Sequence, residues 1–200
     1  MPSFRAFIDE SSALRGPGLQ EYLIAAAVVP ADRCDDVREA LRPLLLPGQI
    51  KLHWSDESEQ RRRRIVDGLL QLEHMSVVIT HLSERRKKNE RFRRLCLGEL
   101  YNEMVAMDVH DLLLESRSAQ QDKSDVAHVV ALQGAGLDKR LRISHKRGGD
   151  EPLLWIADAV LGAINARESG DSSHFEALSS TFLVHRPTPT SVAAQTSEKP

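Results

Sequence analysis

Three carboxylates stand at the end of, or inside, apolar segments of this chain. Asp158 lies mid-helix in "LLWIADAVLGAI", with Leu154, Trp155, Leu161 and Gly162 three and four residues to either side. A helix apolar nearly all round is a buried helix. An unpaired carboxylate there costs on the order of several kcal/mol, so it must be protonated, paired or bound to a cation. The ordinary solution is an ion pair with a nearby Arg or Lys. Glu115 ends the run Leu112-Leu113-Leu114, where it either serves a site beyond the strand end or pairs with Arg117. Asp9 and Glu10 follow the apolar run Phe4 to Ile8. Adjacent strand residues face opposite sides, so one of the two, Asp9, is assigned to a site and Glu10 to a partner or solvent. Carboxylate oxygens are the preferred ligands of hard cations, and a magnesium site uses a few of them while keeping waters for a phosphate. Two such ions about 4 Å apart clamp the attacking and leaving oxygens of phosphoryl transfer. Asp9 from a first strand, Glu115 from a central strand and Asp158 from a later helix would suit that arrangement.

Other chemistries find less support. No two of the eight histidines stand at HxxxH or HExxH spacing, which removes the zincin pattern. His53, beside Trp54, is a candidate general base, although a packed or exposed histidine is the commoner case. The two cysteines, Cys34 and Cys96, form no CxxC pair, against a disulfide framework or a thiolate zinc site. Ser11 and Ser12 sit in no GxSxG elbow, and no Walker or dinucleotide glycine pattern occurs. Asp122, Asp125 and Glu151 suit helix starts, where acids favour the helix dipole.

Net charge is −2, so only local charge argues for a nucleic-acid partner. "RRRR" (61–64) fans around a helical turn and cannot all face one ligand. "ERRKK" (84–88), "KRLR" (139–142) and "HKR" (145–147) read singly as solvated faces. Lys146 and Arg147, close in sequence to Asp158, and Lys51 are the candidate contacts to a phosphate backbone, which gives affinity without sequence information. Aromatic residues are 4% of the chain, which weakens a case for base stacking.

The elements that must position these groups follow from periodicity and breakers. Residues 4–8 and 22–30 read as strands of an antiparallel hairpin. Helices are expected over 32–46, ended by Pro47-Gly48, and over 57–72, with an extended piece at 50–55 between them. Strands at 75–82, 110–118 and 141–145 alternate with helices at 90–107, 121–136 and 151–167. Two hundred residues, 41% hydrophobic and 28% charged, suit one soluble domain, set at 1–186. Residues 187–200, with three prolines, read as a disordered tail. No signal peptide or membrane span is expected, and a cytoplasmic location is. The fold class is α/β, a mixed sheet with helices on its faces.

"FIDESS", "YLIAAAVV" and "LLWIADAVLGAINAR" resemble the family catalogued as domain of unknown function 3800. The likeness spans residues 4 to 167. It implies a ribonuclease-H-like fold and an acidic, metal-dependent site with Asp9, Glu115 and Asp158 as ligands. Two positions depart from the family pattern: Ser12 stands where Gly is usual, and Ile50 precedes Lys51 where Glu is frequent. An acid that would complete a four-carboxylate set is thus missing, with Glu10, Glu57 and Glu151 as substitutes. The expected function is a metal-dependent nuclease, with Mg2+ or Mn2+ as the metal. The alternative is a catalytically inactive module that binds nucleic acid or protein on the same scaffold.

Overall fold

The structure, a computed structural model, describes residues 3–85 and 89–192. Strands β1 (Phe4–Leu14) and β2 (Leu19–Pro30) form the expected antiparallel hairpin, and β3 (Met75–Glu84) extends it antiparallel to β2. On the other side of β1, β4 (Asp111–Glu115) and then β5 (Arg142–Lys146) add in parallel, while β6 (Phe182–Pro187) adds parallel to β3. The six-stranded order is β5-β4-β1-β2-β3-β6.

β1 does not stop before the paired acids, as its apolar run suggested. Pairing with β2 carries it on to Leu14, opposite Gln20. What ends there is the parallel ladder: the last β1–β4 pair is Ile8 with Leu114. Asp9 and Glu115 are therefore the first residues beyond the point where two neighbouring strands part.

Alternation sorts side chains to two faces. Phe7, Leu23, Ala25, Val78 and Leu113 point into one core, under α1 (Cys34–Leu41), α2 (Glu59–Leu69) and α5 (Leu154–Glu168). Ala6, Ile8, Ile24, Val77, Leu112 and Leu114 point into the other, under α3 (Glu90–Ala106) and α4 (Ala119–Gly134). α5 packs on β1 and β2 and meets α2, α6 (Ser173–Ala177) and the Trp54–Asp56 turn with its other sides. This double coverage is why its sequence is apolar nearly all round.

Two boundaries depart from the sequence reading. The helix expected over 32–46 is regular only over Cys34–Leu41, with 3-10 turns on both sides. Pro43 cannot take an interior helical position, because it lacks an N–H and clashes with the preceding turn. β6 went unread because its half-exposed alternation is weak and it runs into prolines, which an edge strand tolerates. The expected tail therefore starts too early at 187. The Thr188 amide donates to the Thr80 carbonyl at 2.8 Å, and Ser191 Oγ accepts from the Leu82 amide at 3.1 Å. Residues 86–88 of the basic loop and 193–200 of the tail lie outside the described residues.

The α3 face carries a buried charge network. Arg93 is buried and grips both carboxylate oxygens of Asp125. Its Nε donates to Glu10 at 2.5 Å, and His145 Nε2 lies 3.1 Å from Asp125. Burial raises the Asp125 pKa, but the bonds from His145 and Arg93 outweigh it and hold the carboxyl below its ordinary value. Breaking such a buried pair by removing one partner costs about 3–5 kcal/mol, so Arg93→Ala is expected to lose that much in denaturant unfolding at pH 7. A depressed carboxylate contributes stability above its unfolded pKa of about 3.9 and loses it as pH falls through the folded value. Stability should decline below roughly pH 4, and Asp125→Asn should flatten that decline.

Candidate functional site

The odd positions of β1 and β4 beyond the parting point face α5. Phe7 and Leu113 lie in the α5-side core, and two residues on stand Asp9 and Glu115 with the same orientation. α5 supplies Asp158. All three line one open cleft of about 660 Å³, together with Glu10, Ser11, His53, Trp54 and Arg62. Asp9 Oδ1 accepts from the Glu10 amide at 2.8 Å and has no side-chain hydrogen bond among the described residues. Asp158 accepts from the Trp54 amide at 2.6 Å and meets His53 Nδ1 at 3.2 Å. Glu115 Oε1 accepts from Lys51 Nζ at 2.9 Å.

The electrostatics are those of acids without enough positive charge. Burial, then Glu115 and Asp158, push the Asp9 pKa well above the carboxylate range. Burial also raises that of Asp158, against the Trp54 amide and His53, which favour the anion. Neither ordinary alternative from the sequence is found. Asp158 has no direct Arg or Lys partner among the described residues, and Arg117 turns to Glu10 and Asp125 rather than to Glu115. Lys51 is held above its ordinary pKa; burial opposes this, and the Glu115 bond with the charges of Glu115, Asp9 and Asp158 prevails. Carboxylates that share one cleft with little compensating positive charge fit a hard cation. The three carboxylates do not gather within 4.8 Å as two other groups do, Glu59/Asp171/His174 and Asp122/Asp125/His145.

Two glycines set the geometry by their lack of a Cβ. A Cβ on Gly162 would stand 2.1 Å from Trp54 Cγ, so only glycine lets the indole lie on α5 one turn beyond Asp158. That seating brings the Trp54 amide onto Asp158. A Cβ on Gly148 would stand 2.5 Å from Glu115 Oε1 and 3.1 Å from Lys51 Cδ. Trp155 Nε1 pins this loop through the Gly148 carbonyl at 2.7 Å.

No family model and no curated protein matches the chain. Solved structures do. A ribonuclease H2 from Pyrococcus horikoshii OT3 is similar over 83% of this chain and 74% of its own, at 16% identity and a TM-score of 0.52. Ribonuclease HII from Archaeoglobus fulgidus, solved in complex with PCNA, aligns over the same shares at 18% identity and a TM-score of 0.48. A Bst ribonuclease HIII in complex with Mn2+ aligns over 90% of this chain and 54% of its own, at 12% identity and a TM-score of 0.41. The fold is ribonuclease-H-like. At these identities the likeness extends to the fold alone.

On this ribonuclease-H-like sheet the other expected residues disperse. Glu10 shares the Ile8 face and is held by Arg93, though its edge touches the cleft. Glu151 is buried and gripped by Arg38 at 2.7 and 2.9 Å. Glu57 pairs with Arg61 at 3.0 Å. Each of the three acids is thus held by an arginine. Lys146 ends the edge strand β5 and leans to Glu151 at 3.4 Å, and Arg147 is exposed. Neither lines the cleft, because proximity in sequence to Asp158 is undone by the turn before α5. Lys51 lies beside the acids, with one of its three donors on Glu115. The sequence reading missed Arg62, the Trp54 amide, Gly148, Gly162 and Asn165. The available signal was the stripe Asp158, Gly162, Asn165 at helical spacing, where small and polar residues interrupt an apolar helix. No helix among the described residues is long and apolar enough to cross a membrane.

Gly162→Ala forces the Trp54 ring off α5. Overpacking of this kind costs about 1–3 kcal/mol. The substitution is expected to lower stability by that amount and to shift indole fluorescence. Alanine at Gly98, where a Cβ meets nothing within 4 Å, should do neither.

Proposed function

We propose that this chain is a divalent-metal-dependent nuclease in which Asp9, Glu115 and Asp158 hold Mg2+ or Mn2+ and the substrate is a nucleic-acid phosphodiester. The observation that carries the reading is three carboxylates, two with raised pKa, converging on one open cleft where β1 and β4 part. The ribonuclease-H-like fold supports it, as does the shape of the cleft. Asp158, Leu161, Gly162, Asn165, Ala166 and Ser169 form its floor, a stripe about 16 Å long at 1.5 Å per residue. That suits an extended chain carrying a charge every ~3.4 Å per strand rather than a single nucleotide. Membership of the family catalogued as domain of unknown function 3800 belongs to the same proposal and rests on the motifs at 7–12, 22–29 and 153–167.

A divalent cation bound there supplies charge stabilisation at a phosphoryl oxygen and lowers the pKa of a water. The chain's own residues do the rest. The Trp54 amide fixes one oxygen of Asp158 and leaves the other toward His53. Lys51 orients Glu115 and offsets part of the negative charge. His53 is half exposed in the cleft with its Nδ1 on Asp158, placed to accept or return a proton.

A second reading has one observation in its favour. The missing acid before Lys51 is not replaced by Glu10, Glu57 or Glu151, each of which is held by an arginine. On that reading the chain is a catalytically inactive module that binds nucleic acid or protein.

Thermal unfolding with Mn2+ and a cleavage assay separate the two. At one hundred times its dissociation constant, a ligand of the folded state adds about 2.7 kcal/mol, roughly 5–10 °C for a chain of this size. The expected result is that shift in the unsubstituted chain and none in Asp158→Asn. Without Mn2+, Asp158→Asn and Asp9→Asn should match or exceed the parent in stability, since burial disfavours both charges. Cleavage should fall more than about 100-fold in each, because losing even a residue that supports a ligand costs about 10–100-fold. Binding without cleavage, insensitive to Asp158→Asn, would establish the inactive module instead.

A further inference from the structure

We propose that Arg62 is the phosphate-backbone contact of the cleft, gripping the phosphate that neighbours the one at the acids. The inference rests on the nuclease reading and adds the residue that would orient the strand. The run Arg61 to Arg64 spreads around α2, and the structure gives each residue a different surrounding. Arg61 is tied to Glu57 at 3.0 Å and to the Leu44 carbonyl. Arg63 pairs with Glu59 at 3.0 Å. Arg64 is exposed and outside the cleft. Arg62 alone of the four lines the cleft, and it has no carboxylate partner among the described residues.

Arg62 is also held in place. Its Nε donates to the Trp54 carbonyl at 3.2 Å, and its guanidinium lies 5.4 Å from the Trp54 ring centroid. One of five N–H donors is thus engaged, and both terminal nitrogens stay available as a planar fork, the geometry that matches a phosphate. A guanidinium fixed on a ring and a carbonyl loses less freedom on binding than a free surface arginine.

The position is set by Gly162. The Trp54 indole lies on Gly162, one turn, about 6 Å, beyond Asp158 along α5. Arg62, held on Trp54, therefore stands further along the cleft than Asp158. The other lining residues that carry a formal charge are acids: Asp9, Glu10, Glu115, Asp158 and Asp171. An anionic chain enters such a cleft only if positive charge is supplied at the acids and again along its path. Arg62 is the permanent cation that supplies the second. It reads charge and spacing, not sequence.

Binding of a labelled duplex and a labelled single strand, both phosphorothioate-linked to resist cleavage, is measured with Mn2+ in the unsubstituted chain, between about 50 and 200 mM salt, where phosphate contacts show as a slope of log affinity on log salt. Arg62→Ala should weaken binding about tenfold or more, the loss of a charge-assisted hydrogen bond. It should also reduce the slope by about 0.9 for the duplex or 0.7 for the strand. Arg62→Lys should restore the slope but not the full affinity, since charge returns without the fork. Arg64→Ala should change neither. If Arg62→Ala does not fold, Arg62→Gln, which can keep a hydrogen bond to the Trp54 carbonyl, takes its place with the same expectation. Unchanged slope and affinity in a chain that binds would overturn the Arg62 contact and leave the nuclease reading standing. A parent that binds neither probe at any salt would overturn both.

Discussion

The register Ile8 to Leu114 decides where chemistry can occur in this molecule. Up to that pair β1 has neighbours on both edges, and its side chains go into one core or the other. After it β4 ends, while β2 keeps β1 straight to Leu14. A backbone held on one side and released on the other can present polar side chains at a fixed depth without burying them fully. The period of two then leaves no freedom. Asp9 and Glu115 must face α5, and Glu10 must face α3. A slip of one residue in either strand would exchange the acids between the two faces.

The faces treat their acids in opposite ways. On the α3 side, Glu10 and Asp125 meet Arg93, with Arg117 and His145 beside them. Charge is balanced there and geometry is closed, which is how a buried ionic group is ordinarily tolerated. On the α5 side, Asp9, Glu115 and Asp158 share Lys51 and His53; burial raises the pKa of Asp9 and of Asp158, and for Asp9 the charges of Glu115 and Asp158 add to it. One face uses ion pairs to anchor β1 to two helices. The other leaves its acids short of positive charge.

Much of this was legible from residue types alone. Asp158 stood out because a carboxylate inside an all-apolar helix demands a partner, and Asp9 because adjacent acids in a strand cannot share a face. The hairpin, the alternation and the mixed sheet followed from hydrophobic period. The sequence was silent where the determinant is distance across the fold. Lys146 and Arg147 are near Asp158 along the chain and away from the cleft in space. Arg62, ninety-six positions before Asp158 in the chain, lines the same cleft because Trp54 docks on Gly162. β6 was hidden for another reason: an edge strand with one partner needs little hydrophobic signal to form.

The Trp54 turn shows how packing and chemistry are joined here. Its ring is buried against Gly162, its amide bonds Asp158, its carbonyl holds Arg62, and its neighbour His53 meets Asp158. A hydrophobic contact thereby sets the places of an acid, an imidazole and a guanidinium at once. Side chains fixed by packing reach a substrate in one geometry, whereas the same groups on a free loop would have to be ordered on each encounter. The stability lost in leaving the acids unbalanced is offset by apolar burial of the same elements, since α5 and Trp54 belong to the larger core on that face. The acids are thus held apart from charge compensation by the very packing that positions them.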